Sequence, residues 1–192
     1  MNITSLLIYC TIATFTPGST NIVILSTVHH LGVKKAMRNT YGATFGFGIL
    51  LVISAILNTL LIAVIPKIII VMQIIGSGYM LYLSYLMYAQ SPSAKSAANQ
   101  TATFSSGFLM QFLNPKVVLF TLTVIPTYIM PNYRISFAIA ISIIAITGIG
   151  FLAFLTWVLF GTIFKPFLEK HTKIFNAIMA ASLVYAAVMI WI

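Results

Sequence analysis

Acidic side chains are almost missing. Of 192 residues only Glu169 carries a carboxylate, against ten Lys and Arg, and charged residues make up 6% of the chain. An ordinary soluble domain carries about 25%. The shortage excludes the hydrated surface of a soluble globular domain. It also excludes an enzyme built on a carboxylate pair or a metal–carboxylate centre, and no cofactor is implied. Cysteine is scarce as well: Cys10 stands alone, so no intrachain disulfide or Cys-x-x-Cys relay can form. What fills the chain is apolar, with 60% hydrophobic residues and a mean hydropathy of +1.07. That composition excludes disorder and leaves a polytopic membrane protein.

The net charge of +9 comes from missing acids rather than abundant bases. The bases are scattered singly or in small groups between apolar runs. No basic stripe exists that would neutralise many phosphates, so a nucleic-acid partner is not expected. The first apolar stretch lacks a basic segment before it and runs too far for a cleaved signal, so it reads as the first span.

A bilayer core of about 30 Å requires about 20 helical residues. Charge-free stretches of that length predict six helices, at roughly 3–26, 41–64, 68–88, 107–130, 135–160 and 174–192. Helices are expected because backbone polar groups in lipid must pair internally, and the alternation of barrel strands is absent. The chain reads as a single membrane domain, 1–192. A polar linker at about 90–106 separates repeat one (about 1–89) from repeat two (about 107–192).

Lys34, Lys35, Arg38, Lys95, Lys165, Lys170 and Lys173 fall on one side of this arrangement, and Lys67 and Arg134 on the other. The basic side is expected to be cytoplasmic. Both termini then lie outside, and the two three-span halves enter the membrane in opposite senses. The expected fold is all-α integral membrane, with six transmembrane helices as two inverted three-helix repeats, an arrangement used by transporters.

Two spans carry polar interruptions. Span one contains Thr16-Pro17-Gly18-Ser19-Thr20-Asn21. Proline removes a backbone donor and clashes with the preceding turn. The segment is either a repaired proline kink or a discontinuous helix whose open ends line a binding site. Span four contains Gln111-Phe112-Leu113-Asn114-Pro115-Lys116, about half a chain further on. Paired interruptions in matching spans point to a transporter site.

Lys116 lies about 14 Å into its span if the helix starts near 107. A lysine at the bilayer centre costs about 3 kcal/mol or more. Either the helix starts later and Lys116 marks the cytoplasmic rim, or it is a buried cation that holds an anionic group such as a substrate carboxylate. No span contains an acid to pair with it.

Other features read as structural. Gly42, Gly46, Gly48, Gly76 and Gly78 suit close helix packing, and Gly32 suits a turn beside the first basic loop. His29 and His30 are adjacent, hence divergent on a helix, and make a poor metal site. Tyr79, Tyr82, Tyr85 and Tyr88 form a stripe suited to an interface or to packing. Pro126 and Pro131 shape the outer end of span four.

These residues carry a resemblance over the whole chain. The Phe15-x-Pro17-Gly18 break with Asn21, Gly32, the Gly42/Gly46 pair, Gly76-Ser77-Gly78-Tyr79 with Leu81, and Phe112-Leu113-Asn114-Pro115-Lys116 together resemble the LysE/RhtB family of bacterial amino-acid exporters. Val118 to Thr123 and Tyr128-Ile129-Met130-Pro131 are most similar to its cysteine/O-acetylserine exporter branch. The resemblance implies export of a small amino acid or derivative across the bacterial cytoplasmic membrane, driven by the proton gradient. Pro17, Gly18, Asn21, Asn114, Pro115 and Lys116 would surround the site, and Gln111 joins them as a substrate-binding candidate.

Two departures stand out. Ser19 replaces the second proline of a Pro-Gly-Pro break. Phe47 stands where many members carry an Asp, which removes a carboxylate-based proton relay. The expected partners are an amino-acid substrate and the lipid bilayer, with a homodimer open because apolar faces abound. The competing expectation is a non-transporting membrane scaffold, or a channel-like protein for another small solute.

Overall fold

The computed structural model describes residues 3–88, 98–131, 136–189 and 191, with backbone alone at 57–69, 72, 136, 168, 169 and 189. Lys95, Arg134 and residues 90–97 of the expected linker lie outside the described residues, as does the side chain of Lys67. Every regular element among the described residues is helical: α1 (Ile3–Phe15), α2 (Ser19–Leu31), α3 (Val33–Tyr88), α4 (Phe104–Leu113), α5 (Pro115–Val124), a π-helical turn (Ile125–Ile129), α6 (Ser136–Ile163), α7 (Lys165–Lys170) and α8 (Thr172–Met189).

Local chemistry sets the boundaries. Gly18 is extended (φ −146°, ψ 175°) and hands over to α2. Gly32 closes α2 at φ 81°, a region that glycine enters without strain. Its N–H donates to Val28 O at 2.9 Å. Thr103 caps α4 by accepting the Ser106 N–H at 3.1 Å, so this helix begins before the position expected from the charge pattern. Asn114 is extended (φ −98°, ψ 100°) and its side chain caps α5 on Lys116 N, with Pro115 in the first turn, where its missing N–H has no cost. At Pro126 the lost donor is absorbed by a π turn, with Met130 N donating to Ile125 O at 3.0 Å.

α3 is 56 residues long, which would make a straight rod about 84 Å in length. Its contacts exclude a rod. Gly46 packs on Phe108 and Gln111, yet Gly76 packs on Leu113 and Pro115 of the same short stretch. The element therefore folds back between Ile56 and Ile70. The first arm runs parallel to α4 and α5, from Gly42 beside Phe104 to Ser54 bonded to Thr121 O. The second arm runs antiparallel, from Gly76 beside Leu113 to Tyr82 bonded to Gln100. The two expected spans, 41–64 and 68–88, correspond to these arms without an intervening loop. Pro66, the one proline there, can be absorbed in a bent helix.

The remaining helices follow from glycine contacts and apolar faces. A Cβ on Gly42 would collide with the Phe104 carbonyl, and one on Gly107 with the Asn39 carbonyl, so α3 and α4 touch backbone to backbone. α6 crosses the first arm of α3 in the opposite direction, with Thr147 at Gly48 and Gly150 at Phe47. It runs along α2, where Gly161 meets Leu25 and Val28. α8 lies antiparallel to the second arm, through Ser77–Ala187 and Ser84–Ala180 hydrogen bonds.

α2 is buried at every residue from Ser19 to His29 and forms the centre of the bundle. α6 instead presents Phe137, Ile144 and Ile163 outward at 70% exposure or more, the signature of a lipid-facing helix. Tyr82, Tyr85 and Tyr88 also point outward.

By length and composition Val33–Ile56 and Phe137–Ile163 can each cross a membrane. The bent pairs α1–α2 (49°) and α4–α5 (69°, counted through Ile129) bring the number to four. The expected third and sixth spans are not among these four: the second arm of α3 is not counted separately, and Thr172–Val188 is a shorter apolar stretch.

Candidate functional site

Both proline segments are discontinuous helices. α1 ends at Phe15 and α2 starts at Ser19, while α4 ends at Leu113 and α5 starts at Pro115. The broken pairs cross in opposite directions, since Thr16 meets Lys116 and Thr20 meets Gln111. Lys116 Nζ donates to Thr16 O at 3.0 Å, and Asn21 Nδ2 donates to the same carbonyl at 3.1 Å. Gln111 Nε2 donates to Thr20 Oγ1 at 3.1 Å and to Gly107 O at 3.3 Å. Gly18 lies under the lysine, where an added Cβ would sit 3.8 Å from Nζ.

Two cavities meet at this crossing. A small one, about 40 Å³, runs inward past Thr20, Asn21 and Gln111 to Phe47, Gly150 and Phe154. A wide one, about 740 Å³, extends toward the chain termini past Tyr9, Thr123, Tyr185 and Trp191. Ala13, Gly18, Asn114, Lys116 and Phe120 line both. Tyr9 stacks between Phe120 and Tyr128, with ring centroids 5.4 Å apart in each pair, and forms one wall. The opposite end of the bundle is drawn together by the His30 Nε2–Asn176 Oδ1 contact at 3.1 Å and the Asn39 Nδ2–Thr101 O bond at 2.6 Å.

All seven residues named from the sequence line these cavities. Pro17 and Pro115 face the wide one, Asn21 and Gln111 the small one, and Gly18, Asn114 and Lys116 both. Lys116 follows a complete α4 of 10 residues, so it sits at the break in mid-pair rather than at the start of the first helix. Phe47 lines the small cavity, so a carboxylate at that position would have faced it. Gly150 and Phe154 were not expected. Gly150 admits the Phe47 ring, whose Cε1 would lie 2.6 Å from an added Cβ. The Gly148-x-Gly150 spacing in α6 was the available signal.

The electrostatics favour an anion. The N-terminal ends of α2 and α5 both open at the crossing, and helix N-termini carry partial positive charge. Lys116 adds a full positive charge in the first turn of α5, where the dipole disfavours a cation. The one acid of the chain, Glu169, belongs to α7 and not to either break. The first N–H groups of α5 are taken by Asn114, whose side chain accepts from Lys116 N and whose carbonyl accepts from Val117 N and Val118 N, so the donors left for an anion are Lys116 Nζ and the first turn of α2.

A Cysteine/O-acetylserine efflux protein of Klebsiella pneumoniae subsp. pneumoniae is 31% identical over 189 residues, covering 98% of this chain and 96% of the relative. Its counterpart in Salmonella typhimurium is 30% identical over 185 residues, covering 95% and 94%. No solved structure matches. The family model described as LysE type translocator matches residues 11–192. Its members are translocators and not enzymes, and on that match the chain belongs to the LysE translocator family.

Proposed function

We propose that this protein exports a small zwitterionic amino acid, of the cysteine or O-acetylserine kind, by alternating access through two inverted three-helix repeats in the bacterial cytoplasmic membrane. The observation that carries this reading is the antiparallel crossing of the two broken helices at Thr16 and Lys116. The names of the full-length relatives support the substrate class. Each repeat supplies one broken helix, one long helix and one helix of the antiparallel third pair, which supports the inverted-repeat assignment.

Lys116 and the N-terminus of α2 hold the substrate carboxylate, while Asn114 occupies the N–H groups of α5. With both termini outside, the wide cavity is the extracellular exit and the His30–Asn176 end is the closed cytoplasmic side. Where a proton moves against the substrate, Lys116 is the titratable group at the crossing.

Efflux from cells preloaded with labelled cysteine, O-acetylserine, threonine or lysine tests the reading, with wild type and Lys116→Met compared at equal membrane expression. Efflux that requires Lys116 supports it. Equal efflux from the variant removes Lys116 from the site, and no efflux of any of the four substrates moves the protein to the scaffold reading. A collapse of the proton gradient that leaves efflux unchanged would eliminate proton coupling.

A further inference from the structure

Gln111 and Asn21 are amides whose donor halves are committed inside the protein. Gln111 is fully buried and Asn21 is 4% exposed. The Gln111 NH2 is spent on Thr20 Oγ1 and the Gly107 carbonyl, and the Asn21 NH2 on the Thr16 carbonyl. Carbonyl oxygens only accept, so turning either amide over would set two oxygens against each other. The orientation is fixed, and it leaves Gln111 Oε1 and Asn21 Oδ1 without a partner, beside the small cavity. A buried acceptor left open in this way awaits a donor.

We propose that these two amide oxygens form the subsite for the α-ammonium group of the transported amino acid. The inference rests on the export reading, in which Lys116 takes the carboxylate. An ammonium group brings three donors and a positive charge, which suits two unpartnered carbonyl-type oxygens on residues that line one cavity. Lys116 repels that charge and attracts the other end, so the zwitterion is oriented with its ammonium inward along α2 and α4. Neutral acceptors serve this site better than an acid would. A carboxylate at 21 or 111 would pair with Lys116 and close the site on itself.

The other open acceptors, Ser106 Oγ and Thr147 Oγ1 among them, line neither cavity at the crossing. They therefore provide controls. A substrate that lacks the ammonium leaves both amide oxygens unpaired and is rejected strongly, as sites built for hydrogen bonds reject analogues that lack the group.

The test is competition against labelled cysteine uptake into everted vesicles that hold the full chain, where the cytoplasmic face of the exporter meets the added competitors. 3-Mercaptopropionate lacks only the amine, and cysteamine lacks only the carboxylate. Cysteine should compete at least about tenfold better than 3-mercaptopropionate. Gln111→Met should abolish that preference, while Ser106→Ala keeps it. Equal competition by cysteine and 3-mercaptopropionate in the wild type overturns the subsite, and that arm needs no variant to fold. Strong competition by cysteamine instead overturns the carboxylate role of Lys116. A wild type that moves no amino acid overturns both.

Discussion

The two helix breaks are alike in geometry and unlike in chemistry. Between α1 and α2 the turn is 49°, Gly18 makes no side-chain cap, and the segment contributes an amide at Asn21 and the Thr16 carbonyl, which accepts from both Asn21 and Lys116. Between α4 and α5 the turn is 69°, Asn114 caps the new helix, and Lys116 follows at once. One break offers acceptors and space, and the other supplies charge and a rigid cap. Across the crossing Gly18 faces Lys116, so the empty position at one break is filled by the side chain from the other. A pair of breaks that both carried lysine would repel, and a pair that both carried glycine would hold no anion.

The largest expected effect removes the charge from the second break. Lys116→Met should lower efflux at least about tenfold, as a hydrogen bond to a charged group contributes about 1.5–3 kcal/mol. Efflux within a factor of three of wild type at equal expression would place the charge outside the transport cycle.

Next comes the contact that holds the second break against α3. Gly42→Leu drives a side chain into the α4 backbone at Phe104 and should cost about 3 kcal/mol or more. It would be read as loss of monodisperse protein in detergent. Gly78→Ala, with nothing within 4 Å of its added Cβ, should be neutral or slightly stabilising in the same assay.

A smaller effect tests the cap itself. Asn114→Ala should cost about 1 kcal/mol, seen as a lower melting temperature, while Asn114→Ser recovers most of it. The smallest effect has the opposite sign and makes the first break resemble the second. Ser19→Pro places proline at the first residue of α2, as Pro115 stands in α5, after a glycine already extended. A gain of about 0.5 kcal/mol in thermal stability with export retained is expected. Lost export with intact folding would show that the looser first break is needed for the transport cycle.

Much of this was legible because it is local. Pro17 and Pro115 interrupt helices wherever they stand, since each lacks an N–H and crowds the preceding turn. Asn114 caps through its own side chain. The start of α4 was placed late because a charge-free count does not register Thr103, whose hydroxyl ends the helix three residues earlier. The turn inside α3 was expected as a loop at Lys67, but the backbone there stays helical, because few residues in that stretch break a helix by themselves. Gly150 had the Gly148-x-Gly150 spacing as its signal, whereas Phe154 escaped notice because a phenylalanine in an apolar run looks the same whether it faces lipid or a cavity.

By itself the sequence determined the solvent, the helical class and the positions of the two breaks. These follow from missing charge and from proline geometry, which act over a few residues. Only the tertiary structure decided that Thr16 meets Lys116 and that Thr20 meets Gln111. It also decided that two amide oxygens are left open beside a cavity. Such pairings join residues about 90 to 100 positions apart. They depend on helix crossings set by glycine contacts that no local pattern encodes.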